Sequence, residues 1–114
     1  MDITRHEIDP RMSQAVVHNG TVYLAGQVGQ GDTVTAQTQD VLAKIDALLA
    51  QVGTDRSRIL SATIWLPDMA TFPELNAAWD AWVVPGATPA RATVEARLAA
   101  AAYLVEIAVI AALP

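Results

Sequence analysis

From Arg91 the chain alternates strictly. Arg91, Thr93, Glu95 and Arg97 are polar, and Ala92, Val94 and Ala96 between them are apolar. A period of two marks a strand with one buried face. After a bland run of alanines, the stretch Tyr103 to Ala112 is apolar on both faces except at Glu106. A strand apolar on both faces calls for cover on both sides. Glu106 is therefore expected where water is scarce, and an ion there is costly unless it is paired or hydrogen-bonded. If the two strands lie side by side, Arg91 is the nearest candidate partner.

The earlier chain supplies the rest of a sheet and its cover. Residues 2–8 read as a short edge strand ended by Asp9-Pro10. Ala15 to His18 and Thr21 to Ala25 read as a hairpin about Asn19-Gly20, a turn whose two central positions both need φ > 0. Gly26, Gly29 and Gly31 follow closely, and they shape a loop or let backbone approach a ligand. They match neither a phosphate loop nor a G-x-G-x-x-G turn. From about Thr35 the period becomes helical, with Val41, Leu42, Ile45, Leu48, Leu49 and Val52 in one stripe and Gly53 as the stop. A strand is expected from about Arg58 to Leu66, apolar at Leu60, Ala62, Ile64 and Leu66. Thr71-Phe-Pro-Glu74 reads as a capping box opening a second helix, with Leu75, Ala78, Trp79 and Trp82 as its buried stripe. Val84-Pro85-Gly86 ends it.

The order β-β-β-α-β-α-β-β, without repeat or linker, predicts one α+β domain over residues 1–114. It forms a two-layer sandwich with both helices on one face of a mixed six-stranded sheet. No helix remains for the other face, so its apolar residues are expected to meet another subunit.

Composition narrows the function. The chain has 114 residues, 53 % of them hydrophobic, and a net charge of −5. An acidic chain without a basic stripe is a poor partner for a nucleic-acid backbone. No apolar run approaches a membrane span, and the N-terminus lacks a signal-like apolar core. The cytoplasm is the expected address. Cysteine is absent, which excludes disulfides and thiolate chemistry. His6 and His18 have no partner at metal-ligand spacing. No serine sits in a G-x-S-x-G elbow. The tryptophans and Phe72 read as packing before ligand shelf.

Arg91 and Glu106 remain. A guanidinium binds a carboxylate through two hydrogen bonds, and a glutamate at low dielectric can hold water or shuttle a proton. A buried ion pair that only fixes strand register accounts for the same two residues.

Pro89-Ala90-Arg91-Ala92, Val94, Arg97, Ala99 and Val105-Glu106-Ile107 together resemble the signature of the Rid family, the reactive intermediate deaminases or YjgF-like proteins. Ala25-Gly26-Gln27 resembles the family's Ser-Gly-Gln element, and Phe72-Pro-Glu-Leu-Asn76 its second-helix start. The Trp79-Asp-Ala-Trp82 run and Arg11-Met-Ser look closest to the YoaB-type branch. The resemblance covers nearly the whole chain.

It implies the chorismate-mutase-like fold and a homotrimer with a ligand cleft at each subunit interface. It also implies hydrolysis of small 2-imino or 2-enamino acids, such as that from 2-aminoacrylate, to 2-keto acids and ammonia. The Arg91 counterpart binds the substrate carboxylate and the Glu106 counterpart orients the attacking water. No metal or cofactor is implied. Gly26, Thr93 and Asn76 match positions lining the cleft. Met12 and Ala25 stand where RidA-type members carry a tyrosine and a serine, so two hydroxyls are missing here. Thr93 replaces a cysteine. A trimeric protein that binds a small carboxylate metabolite without turning it over is the alternative. The endoribonuclease label sometimes attached to the family fits this acidic chain least.

Overall fold

The computed structural model describes residues 2–114. Six strands form one sheet, in the order β1-β2-β3-β6-β4-β5. They are β1 (Ile3–Ile8), β2 (Ser13–His18), β3 (Thr21–Leu24), β4 (Ile59–Leu66), β5 (Ala90–Glu95) and β6 (Glu106–Ala112), with helices α1 (Val34–Gln51) and α2 (Phe72–Trp82). Only β4 and β5 pair in parallel. Parallel neighbours need a crossover, and α2 supplies it.

The local signals that are complete within a few residues act as expected. Asn19 (φ 54°) and Gly20 (φ 79°) turn β2 into β3, as a two-residue hairpin of matching twist requires. Thr33 caps α1 by accepting from the Ala36 N–H at 3.1 Å. Gly53, at φ 89°, closes α1. Its N–H donates to Ala50 O at 3.1 Å and that of Thr54 to Leu49 O at 3.0 Å, the paired bonds of a Schellman ending.

Three boundaries differ from the sequence reading. Leu60 is exposed, and β4 buries Ile59, Ala62, Ile64 and Leu66 instead. A register shift between Ile59 and Ser61 places the extra residue of a bulge at Leu60 and breaks the alternation there. Thr71 makes no capping bond to α2. A 3-10 turn over Met69–Thr71 runs straight into the helix, and the Thr71 hydroxyl donates back to Asp68 O at 2.7 Å. Finally, β6 begins at Glu106 and not at Tyr103, because the Leu104 N–H is taken by Gln37 Oε1 at 2.8 Å.

One core fills the space between helices and sheet. Val41, Ile45 and Leu49 of α1 and Leu75 of α2 are fully buried against Val22, Ile64, Leu66, Ile107 and Ala111. The opposite sheet face carries Tyr23 and Ile110, Trp65 and Val94, and Ala108, cross-strand neighbours in register. No helix covers it, and Tyr23 and Val94 are exposed in the single chain. Among the described residues, no helix is long and apolar enough to cross a bilayer.

Candidate active site

Strand parity decides where each site residue points. Arg91 is level with Ala62 and Thr93 with Ile64, and both Ala62 and Ile64 are buried under the helices. Arg91 and Thr93 therefore face the helix layer, while Ala92 and Val94 lie on the uncovered face. The polar positions of β5 point toward the helices, the reverse of a simple dry-side, wet-side reading. β5 is an edge strand, and the flank of α2 beside it offers aromatic surface rather than a closed core.

That flank is a stripe. Phe72, Asn76 and Trp79 recur at the i, i+4, i+7 spacing that aligns side chains on one helix face. The Arg91 guanidinium carbon lies 5.6 Å from the Phe72 ring centre and 5.5 Å from that of Trp79. Asn76 Oδ1 and Thr93 Oγ1 are both buried without a hydrogen-bond partner among the described residues. Among the described residues the ion pairs are Lys44–Asp40 and Arg56–Asp46, so Arg91 has no carboxylate. A half-buried cation beside two unsatisfied oxygen atoms is a costly arrangement unless a ligand or water completes it.

Glu106 belongs to a second, separate group. It is level with Trp65, whose neighbours Ile64 and Leu66 are buried, so it projects from the uncovered face. Gly26 lies against it. A Cβ built on Gly26 would sit 3.0 Å from Glu106 Cδ and closer still to its carboxylate. Gln27 fixes this approach: its N–H donates to Ile107 O at 2.8 Å and its carbonyl accepts from the Ile107 N–H at 3.1 Å. The Gln27 side chain donates to Gln14 Oε1 and to Ala25 O, both at 2.9 Å. Ala25 is half-buried and Met12 is exposed in the β1–β2 turn. Glu106 is half-buried, wetter than its apolar neighbours suggest.

Arg91 and Glu106 do not meet within one chain. β4 separates their strands, their levels on it, Ala62 and Trp65, are three positions apart, and they point from opposite faces. At about 3.3 Å per residue and about 4.8 Å per strand, their backbones are about 14 Å apart. The expected side-by-side ion pair is ruled out by strand order. A concavity of about 380 Å³ lined by Glu7, Gln14, Gln27, Lys44 and Gln51 includes neither residue.

Two supporting residues were not singled out from the sequence. Gln37, buried, donates to Gly31 O at 3.0 Å and to Ala102 O at 2.8 Å and accepts from Leu104. It ties the alanine-rich loop before Glu106 to α1. Gln27 does the same for Gly26. A polar residue interrupting an apolar helical stripe was the available signal for Gln37.

The family described as Endoribonuclease L-PSP matches residues 4–113. The RutC family protein YoaB of Escherichia coli is 45 % identical over 113 residues, covering 98 % of this chain and 99 % of that protein. The chain belongs to the YjgF-like, or Rid, family. Its kinship with YoaB agrees with the branch read from Arg11-Met-Ser and the Trp79–Trp82 run. The crystal structure of a YjgF family member from Neisseria meningitidis is 48 % identical. It superposes with a TM-score of 0.96 over 100 % of this chain and 97 % of that one. Reactive Intermediate Deaminase A, chloroplastic, from Arabidopsis thaliana is 34 % identical over 89 residues, 71 % of this chain and 47 % of that protein.

Proposed function

We propose that this Rid-family protein hydrolyses small 2-imino and 2-enamino acids to 2-keto acids and ammonia, in clefts between the subunits of a homotrimer. The observation that carries the reading is Arg91, a guanidinium with no carboxylate partner among the described residues. It lies over two aromatic rings, on the face that carries the unsatisfied Asn76 and Thr93 oxygens. Its in-plane N–H groups suit a substrate carboxylate bound through both oxygens.

Three subunits packing their uncovered sheet faces around an axis would hide that apolar surface. They would also bring Glu106 and Gly26 of one subunit to the β5 edge of the next. Glu106 then holds a water against C2 of the imine. The water oxygen bonds to C2 and gives one proton to Glu106, while the C=N π pair moves to nitrogen, which takes that proton up. The resulting carbinolamine passes its hydroxyl proton to nitrogen as the C–N bond breaks, so that ammonia leaves and the ketone remains. The imine carbon is already electrophilic, so the site needs chiefly to position water and substrate. Met12 and Ala25 add no hydroxyl, and Thr93 and Asn76 remain the neutral polar groups beside Arg91. This apolar lining favours one second reading, a trimer that binds a small carboxylate metabolite without turnover.

The test generates 2-iminopropionate or a longer 2-imino acid with an amino-acid oxidase, in the presence of semicarbazide. A deaminase lowers the yield of semicarbazone. Arg91→Ala should abolish the effect, and Glu106→Gln should abolish it while leaving 2-keto acid binding intact. Equal behaviour of wild type and Arg91→Ala would remove the catalytic reading. Wild-type binding of 2-keto acid without any turnover would leave the binding protein.

A further inference from the structure

We infer that Trp79, helped by Phe72, is a positioning residue for Arg91: the rings hold the guanidinium by its face and leave its in-plane donors for the ligand's carboxylate. The inference rests on Arg91 being the carboxylate clamp.

The molecule contains its own control. Arg56 lies 5.4 Å from the Trp82 ring centre, much as Arg91 lies over Trp79. Arg56, however, also has a carboxylate, Asp46 Oδ1 at 3.5 Å, and it donates to Trp82 O at 3.0 Å. Two of its three nitrogens are engaged, and the contact joins α2 to the start of β4. Arg91 has the rings without the acid. An acidic anchor would hold Arg91 equally well, but it would neutralise the charge and occupy two of the five N–H groups. An aromatic face attracts a cation through its quadrupole without accepting those in-plane bonds.

Trp79 is also well fixed for the task. It is buried, and its ring centre lies 5.5 Å from that of Trp82, tilted by 49°. Trp82 in turn donates its indole N–H to Asp46 Oδ2 at 3.0 Å. A chain of contacts therefore runs from α1 through two indoles to the guanidinium. Phe72, half-buried one stripe position beyond Asn76, adds a second ring under the guanidinium.

The experiment is a double-mutant cycle on the full chain. It measures 2-ketobutyrate binding by calorimetry in all four chains and, where Arg91 is present, kcat and KM in the imine assay, and far-UV circular dichroism confirms folding. Trp79→Leu is expected to weaken 2-ketobutyrate binding about tenfold and raise KM by a similar factor, with kcat changed less than about threefold. Trp79→Phe should recover most of the loss. In the Arg91→Ala background, Trp79→Leu should cost less than about twofold further, because a residue acting through Arg91 has nothing left to position. Phe72→Leu, at a less buried position, runs the same cycle should Trp79→Leu misfold. Wild-type binding by Trp79→Leu, or an equal loss with and without Arg91, overturns the inference and leaves the clamp standing. Wild-type binding by Arg91→Ala overturns both.

Discussion

Replacing Gly26 by alanine tests whether the placement of Glu106 matters to the chemistry. A β-carbon at Gly26 would lie 3.0 Å from Glu106 Cδ and 3.3 Å from its Cγ, with the carboxylate oxygen inside the overlap. Gly26 does not have a positive φ, so alanine can adopt its backbone. The obstructing atoms are the far end of a flexible side chain, and Glu106 can swing aside at about 0.5–1.5 kcal/mol for an unfavourable rotamer. A loss of about 1 kcal/mol corresponds to a fall of roughly 4–8 °C in Tm for a domain near this size. The fold should therefore survive. The carboxylate would move by more than 1 Å, and a displacement of that size costs about 10²-fold in rate. We expect the semicarbazide assay to show kcat lowered about 100-fold. Binding of 2-ketobutyrate should stay near wild type because Arg91 is untouched. A Gly26→Ala variant with kcat within about threefold of wild type would refute the reasoning, since Glu106 would then act from a position other than the one it occupies.

Other substitutions probe the scaffold. Gln37→Leu should destabilise the protein by about 1–3 kcal/mol by leaving Ala102 O and the Leu104 N–H unpartnered; it should also lower kcat, read by urea unfolding beside the imine assay. Ile64→Ala, at a fully buried position of the interior strand β4, should cost about 2–5 kcal/mol in the same unfolding measurement. Val94→Asp introduces a charge on the uncovered sheet face. Light scattering should then report a single chain where the proposed wild-type assembly gives three, and activity should vanish with the assembly; a trimer unaltered by the substitution would show that this face is not the interface.

What could be read from the sequence was what lay within a few residues. Asn19-Gly20 demands its turn chemistry wherever it occurs, and the α1 stripe closes on Gly53 through bonds made inside the helix itself. The period-two run at Arg91 correctly announced a strand. It could not say that the polar side faces α2, because that depends on an edge strand meeting an aromatic flank. Leu60 looks like a core residue until β6 imposes the bulge. Thr71-Phe-Pro-Glu74 has the composition of a capping box, yet Asp68 starts a 3-10 turn ahead of it and uses the threonine hydroxyl. The largest miss came from non-local order. β5 and β6 follow each other in the chain, but β4 lies between them, which parts Arg91 from Glu106. Residue type marked both as candidates, whereas only the topology separates them into two groups on opposite faces of the sheet.

Mixing two inactive variants tests that division most directly. Arg91→Ala retains Glu106, and Glu106→Gln retains Arg91. Each alone should be inactive in the imine assay. Unfolded together in equal amounts and refolded, they would form mixed trimers. If each cleft takes its arginine from one subunit and its glutamate from the next, both are intact at about a quarter of the clefts, by random assembly of a cyclic trimer. The account predicts that about 25 % of wild-type activity returns. A mixture as inactive as its components, with mixed trimers verified by mass spectrometry, would contradict it.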